Sequence, residues 1–307
     1  MSRTTVLALL VLLATASSAH AVREPVIGIG EQKAGMFTDP RWERLGLPHV
    51  RYIAPWDALR DPLQRRLLDD WMAAARGSGA RVLLGFERSL RSRRHARILP
   101  RPRAFERQFV RFRARYPDVR QFIVWNEANH PFSLTANRPR RAARYFEAVA
   151  RNCGRCRVVA ADVLDVRGMT RWVGRFERHA RRRVRIWGLH NYVDANRFTT
   201  TGTRALLDVT RRGKVWFTET GGQVLRREYK RGRVTREFRY SRRRAARSTL
   251  HAIRLARLSR RIRRVYLYHW RAPLPVTNWD SALIGPRGRA RPSYHVLKHE
   301  LRRMRRP

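Results

Sequence analysis

The chain has 307 residues, 69 Lys and Arg against 23 Asp and Glu, a formal net charge of +46 and two cysteines. Its length suits one large domain or two small ones, and past the first 21 residues no apolar run approaches the roughly 20 needed to span a bilayer. The cations are nearly all Arg, with Lys only at 33, 214, 230 and 298, and they are spread along every predicted helix. Such a surface attracts polyanions non-specifically, an acidic envelope or polysaccharide among them. No zinc finger, RNP signature or basic-zipper heptad points to specific nucleic-acid recognition.

Residues 1–21 begin with Met1-Ser2-Arg3, run apolar from Val6 to Ala14 and end in Ala19-His20-Ala21. That is the form of a secretory signal peptide, so an exported mature chain of residues 22–307 is expected. Strand-like apolar runs then recur at 26–29, 50–53, 82–86, 122–125, 158–161, 184–189, 215–217 and 265–268. Between the second and third, Asp61-Pro62 starts a helix whose apolar face is read as Leu63, Leu67, Trp71 and Ala74. Phe105, Phe109, Phe112 and Tyr116 mark the next helix, and 142–149, 172–176, 205–209, 250–258 and 294–301 supply others. Cys153-Gly-Arg-Cys156 closes a helix and lacks the second ligand pair of a zinc ribbon, so a local disulfide is expected. The alternating stretch 226–238, with Gly232 as its turn, reads as a β-hairpin. Its arginines would suit an acidic polysaccharide.

Eight buried strands alternating with helices, with no linker left over, predict a single-domain α/β chain folded as a (β/α)8 barrel. A doubly wound sheet fits less well, because Gly28-Ile-Gly30 is followed by Lys33 where a dinucleotide fingerprint needs glycine. In a barrel the chemistry gathers at the C-terminal ends of the strands. Those positions hold Arg51 and Trp56, Glu87, Asn126 and Glu127, Asp162, His190 and Tyr192, Glu219, and His269 and Trp270. Glu87 and Asp162 read as salt-bridge partners of arginines.

Glu127 and Glu219 each end an apolar run, which predicts two carboxylates facing each other across the barrel mouth. Cleavage of a glycosidic bond needs such a pair, an acid for the leaving oxygen and a carboxylate on the other side of the ring. A negative charge on Glu219, together with partial burial, would raise the pKa of Glu127 and keep it protonated as an acid.

Trp125-Asn126-Glu127 ending the fourth strand and Thr218-Glu219 ending the seventh resemble the marks of clan A glycoside hydrolases, retaining (β/α)8 enzymes typified by family 5 cellulases and mannanases. The likeness runs through the mature chain, in Val50-Arg51 with Pro55-Trp56, His190-Asn191-Tyr192, Tyr268-His269-Trp270 and Asp280 to Gly288. It implies Glu127 as acid/base, Glu219 as nucleophile and Asn126 on the sugar 2-hydroxyl. Arg51 and Tyr192 would hydrogen-bond Glu219, His190 would line the same subsite, Trp270 would be the stacking platform, and Trp56 a further aromatic contact. The end of the third strand departs from the clan, carrying Glu87 where many members have histidine. The resulting expectation is a secreted, monomeric enzyme cleaving a β-linked carbohydrate by double displacement, needing no cofactor or metal. A silent carbohydrate- or polyanion-binding barrel is the alternative.

Overall fold

The computed structural model describes residues 24–230, 233–276 and 278–305; the expected leader at 1–21 lies outside them. In chain order the first half comprises β1 (Val26–Gly30), α1 (Pro40–Leu45), β2 (His49–Pro55), α2 (Pro62–Gly77), β3 (Arg81–Glu87), α3 (Pro102–Arg115), β4 (Gln121–Ile123) and α4 (Pro139–Asn152). Then come β5 (Arg157–Val159), β6 (Asp162–Leu164), α5 (Met169–His179), β7 (Ile186–His190), α6 (Tyr192–Arg197), α7 (Thr201–Thr210) and β8 (Lys214–Thr220). The chain ends with β9 (Leu225–Lys230), β10 (Arg233–Phe238), α8 (Arg242–Leu255), β11 (Ile262–Tyr268), β12 (Trp279–Asp280) and α9 (Pro292–Met304).

All strands of the main sheet are parallel, in the order β5-β4-β3-β2-β1-β11-β8-β7-β6. The two ends of that order, β5 and β6, are consecutive in the chain and are two pieces of one barrel strand broken at Ala160-Ala161. Backbone bonds from Ala160 N to Ile186 O and from Gly188 N to Ala161 O, both 3.0 Å, carry the ladder across the break. The sheet thus closes on itself as a (β/α)8 barrel, as the alternation of strands and helices requires. The apolar run at 158–161 gave no sign of the interruption.

Asp61 starts α2 as expected, accepting from the Gln64 N–H at 3.0 Å ahead of Pro62. The face of that helix is rotated from the predicted one. Leu68, Trp71, Met72 and Ala75 are buried, whereas Leu63 and Leu67 are about half exposed. On α3 and beyond, Phe105, Phe109, Phe112 and Tyr116 are all buried in the layer between strands and helices. Cys153 and Cys156 are joined by a disulfide after α4. The hairpin forms from β9 and β10, and β12 adds a third, unforeseen strand by pairing Trp279 with Arg226.

Inside the barrel, Ile53, Leu83, Ile123, Val159, Ile186, Trp216 and Tyr266 form a second apolar cluster. β1 contributes glycine to this space for a steric reason. A Cβ on Gly28 would fall 2.7 Å from both His49 O and the Tyr266 ring, and one on Gly30 would crowd Tyr268 at 3.3 Å. The bare first strand leaves the axis to Tyr266, Tyr268 and the long side chain of Arg51.

Candidate active site

Residues alternate along each strand between the inner cluster and the helix-facing layer, and the inward set leads upward to the mouth. On β2 this brings up Arg51, on β7 His190, and on β11 Tyr268 above Tyr266. Arg51, fully buried, is the hub. Its Nη1 donates to Glu219 Oε2 at 2.6 Å, and Nη2 reaches Asn126 Oδ1 at 2.8 Å and Asp162 Oδ2 at 3.2 Å. Nη2 also comes within 3.2 Å of His190 Nε2. The Tyr192 hydroxyl donates to Glu219 Oε1 at 3.0 Å. Both partners expected for Glu219 are therefore in place.

His190 bridges the two halves of the site. Its Nδ1 lies 3.2 Å from Glu127 Oε1 and its Nε2 lies 3.1 Å from Asp162 Oδ2. Thr218, the residue before Glu219, donates to the other Asp162 oxygen at 2.6 Å. Exposure separates two tiers. The side chains of Glu127 and Glu219 are 31% and 13% exposed, while those of Arg51, Asp162 and His190 are at 1% or less. One carboxylate oxygen each of Glu127 and Glu219 and a ring nitrogen of His190 all lie within 4.8 Å of one another.

Glu127 sits in the left-handed region of backbone space, φ 44°, an uncommon place for a residue with a side chain. Neighbouring backbone bonds hold it there: Asn126 N donates to Phe86 O and Ala128 N to Asp162 O, each at 2.8 Å. Non-glycine residues held in this region cluster at functional sites.

Charge in the buried tier is set by competition between burial and partners. For His190 burial works against protonation, but Glu219, Asp162 and the hydrogen bonds to Asp162 and Glu127 outweigh it and push the pKa up to about 10. Burial likewise opposes the charge of Arg51, and Glu219 and Asp162 reverse the balance and raise its pKa. Burial raises the Tyr192 hydroxyl well above its ordinary value, and Glu219 adds to the effect. For Glu127 burial is again the largest influence and would raise the pKa. The His190 hydrogen bond, with the charges of His190, His130 and Arg51, wins and holds it below the ordinary carboxylate value. This corrects the expectation that Glu219 would raise it: the imidazolium bonds directly to Glu127.

Trp270 also needs correcting. It is 1% exposed, its indole N–H donates to Asp39 at 3.2 Å, and it packs edge-on against Trp42 of α1 and Tyr294 of α9, each at 6.1 Å. The inward alternation on β11 ends at Tyr268, so two residues later the chain has left the wall and Trp270 faces the outer layer. It is no platform. The aromatic surface near Glu219 comes instead from Tyr268 and from Trp279, partly exposed, whose ring meets Tyr192 edge-on at 4.8 Å. Trp56 is half-buried and packs against the outer core, with its backbone N–H on Glu87 O at 2.9 Å.

Asp162 is central, although its sequence position suggested only a partner for Arg; it partners Arg51, and His190 and Thr218 besides. Glu87 makes no ion pair among the described residues. Glu127, His190 and Glu219 have metal-ligand spacing, but this donor set does not suit a cation. His190 is held protonated and Arg51 already neutralises Glu219.

No protein-family model matches the chain, and neither does any curated protein. Solved structures do. A GH10 endoxylanase retrieved from a sugarcane soil metagenome superposes with a TM-score of 0.65 at 14% identity, over 91% of this chain and 97% of that one. GH5_18 from Streptomyces cattleya, in complex with GlcNAc, gives 0.62 at 16% identity, over 92% and 81%. Xylanase 10B from Thermotoga maritima gives 0.63 at 10% identity, over 92% and 96%. At such identities the likeness establishes a shared fold, the (β/α)8 barrel.

Proposed function

We propose that the protein is an exported retaining glycoside hydrolase of the clan A type, acting on a β-linked glycan. The observation that carries this reading is the pair Glu127 and Glu219, with carboxylate oxygens within 4.8 Å of each other at the barrel mouth. Retaining enzymes hold their carboxyl groups about 5–5.5 Å apart, whereas inverting ones need roughly 6.5–9.5 Å for an intervening water. The folds shared with xylanases and GH5_18 support the same reading, and the disulfide suits an exported chain.

In this reading the Glu219 side chain, aimed by Arg51 and Tyr192, attacks the anomeric carbon as the bond to the leaving oxygen breaks. That oxygen takes a proton from the Glu127 side. In the free protein this proton rests on His190 and crosses the 3.2 Å bond from Nδ1 to Oε1, while Nε2–H stays on Asp162. Water then cleaves the glycosyl ester, returning its proton through Glu127 and freeing Glu219. Arg51 occupies Asn126 Oδ1, which leaves the Asn126 NH2 group for a sugar hydroxyl.

The test is reducing-sugar release from β-glucans, mannans, xylans and galactans, with Glu219→Gln and Glu127→Gln beside the wild type. Either substitution should lower turnover by roughly 10²-fold or more, and the first-formed anomer should keep the substrate's configuration. Failure of the wild type to act on every glycan would overturn the reading.

A further inference from the structure

A chain with 69 cations against 23 anions brings several of its few carboxyl groups together at the barrel mouth. Asp162, Glu127, Glu219 and Glu87 gather there around Arg51 and His190. Asp162 is satisfied by Arg51, His190 and Thr218, Glu219 by Arg51 and Tyr192, and Glu127 by His190. Glu87 differs. It ends β3 on the inward side with Leu83 and Gly85, while Phe86 points to the outer layer. Its register partner is Pro55 of β2, and the next turn of wall on the other side carries Asn126 and Glu127. Its side chain is partly exposed to the mouth and has no hydrogen bond or ion pair among the described residues. Arg88 acts on it only at a distance, alongside Glu127, Arg51 and Glu219, and burial pushes its carboxyl up to about 7.

A carboxylate drawn out of water with nothing to bind is costly, and one set beside two others costs more. A uronate or sulfate would add to the repulsion. A neutral sugar would offer a hydroxyl but no charge, and would leave the cost of ionising Glu87 unrelieved. A protonated amine supplies both hydrogen-bond donors and the missing positive charge. We propose that Glu87 is a specificity-determining carboxylate that pairs with the ammonium group of an amino sugar, so that the cleft takes glycans containing free hexosamine units. The cationic exterior and the carboxyl-rich mouth then face different ligands. This inference rests on the glycoside hydrolase reading and narrows its substrate class.

The experiment compares a glucosamine hexamer with its fully N-acetylated counterpart, which keeps the backbone and removes the charge. Turnover of both is measured for wild type, Glu87→Gln and Glu87→Asp, and binding of the glucosamine hexamer is followed by calorimetry. The wild type should favour the free amine by roughly tenfold or more in kcat/KM, the scale of one charged hydrogen bond. Glu87→Gln should reduce that ratio by a similar factor, mostly through KM, and Glu87→Asp should restore part of it. A ratio unchanged in Glu87→Gln, or a wild-type preference for the acetylated hexamer, overturns the inference while turnover upholds the hydrolase. Binding of the glucosamine hexamer that Glu87→Gln abolishes, without cleavage of either hexamer, upholds the pairing of Glu87 with the amine, and the hydrolase reading is then decided separately by the wider glycan panel. A wild type that neither binds nor cleaves the glucosamine hexamer overturns the inference.

Discussion

Arg51 and Glu219, 168 residues apart, meet at 2.6 Å with the arginine fully buried and the glutamate partly open to the cleft. The same guanidinium serves Asn126 and Asp162, a spread of acceptors that only a planar, multi-donor cation can reach at once. Arg51→Lys keeps the charge and loses the fork. It should fold, yet lose roughly 10²-fold in kcat/KM through misplacement of Glu219. Arg51→Met leaves Glu219 without its cation and Asp162 with His190 alone, and should cost about 3–5 kcal/mol in a urea melt.

The two tryptophans of the eighth barrel segment should separate cleanly. Trp270→Ala removes a buried ring and should lower stability by about 3–5 kcal/mol, with KM unaltered in the protein that remains folded. Trp279→Ala should leave the melt nearly unchanged and raise KM several-fold, corresponding to about 0.5–1.5 kcal/mol of lost aromatic contact. Paired denaturation and kinetic measurements decide it. The opposite pattern would restore Trp270 as the platform.

The titrations of His190 and Glu87 both tilt stability toward acid. His190 has a folded pKa of about 10, above its unfolded value near 6.5, so its contribution is complete below about 6.5 and is lost as pH rises toward 10. Glu87, at about 7, holds its proton in the folded state over a window in which the unfolded chain has released it. Ionising it therefore weakens the fold between the ordinary carboxylate range and about 7. Urea melts across pH 5 to 10 should show falling stability, with the upper part of the slope flattened in His190→Asn and the lower part in Glu87→Gln.

The disulfide closes only the short loop from Cys153 to Cys156, so its effect on the unfolded chain is small. Loop-closure entropy puts it at about 2 kcal/mol or less. Reduction should shift the thermal midpoint by a few degrees and leave turnover intact.

The barrel was legible because buried parallel strands and amphipathic helices leave local periodicities, and a strand end carrying a polar residue shows in a window of five or six. The pairing of Arg51 and Tyr192 with Glu219 was reached through the resemblance. What escaped was non-local or a matter of register. The break at Ala160-Ala161 lies within an unbroken apolar run, and the two-residue β12 has no period at all. On α2, Leu63 and Leu67 look as apolar as Leu68 and Met72, and tertiary packing chose between the stripes. Trp270 was misplaced because the end of β11 cannot be read to within two residues. The pKa of Glu127 turned on His190, 63 positions away.

Asp162 touches neither of the two cleft glutamates, yet it ties their supports together. Its backbone accepts from Ala128 N and donates to Trp125 O, flanking Glu127, while its side chain takes the hydroxyl of Thr218, next to Glu219. The bonds from Val124 N to Val159 O and from Asp162 N to Trp125 O carry the pairing with the fourth strand across the break in the fifth, up to the residues that flank Glu127. In the proposed hydrolase the separation between the two carboxylates would thus be gauged by a buried residue behind the cleft, as a spacer block sets the opening of a jaw. A change at Asp162 would alter stereochemical outcome or rate by changing a width, with every group that meets the sugar still present.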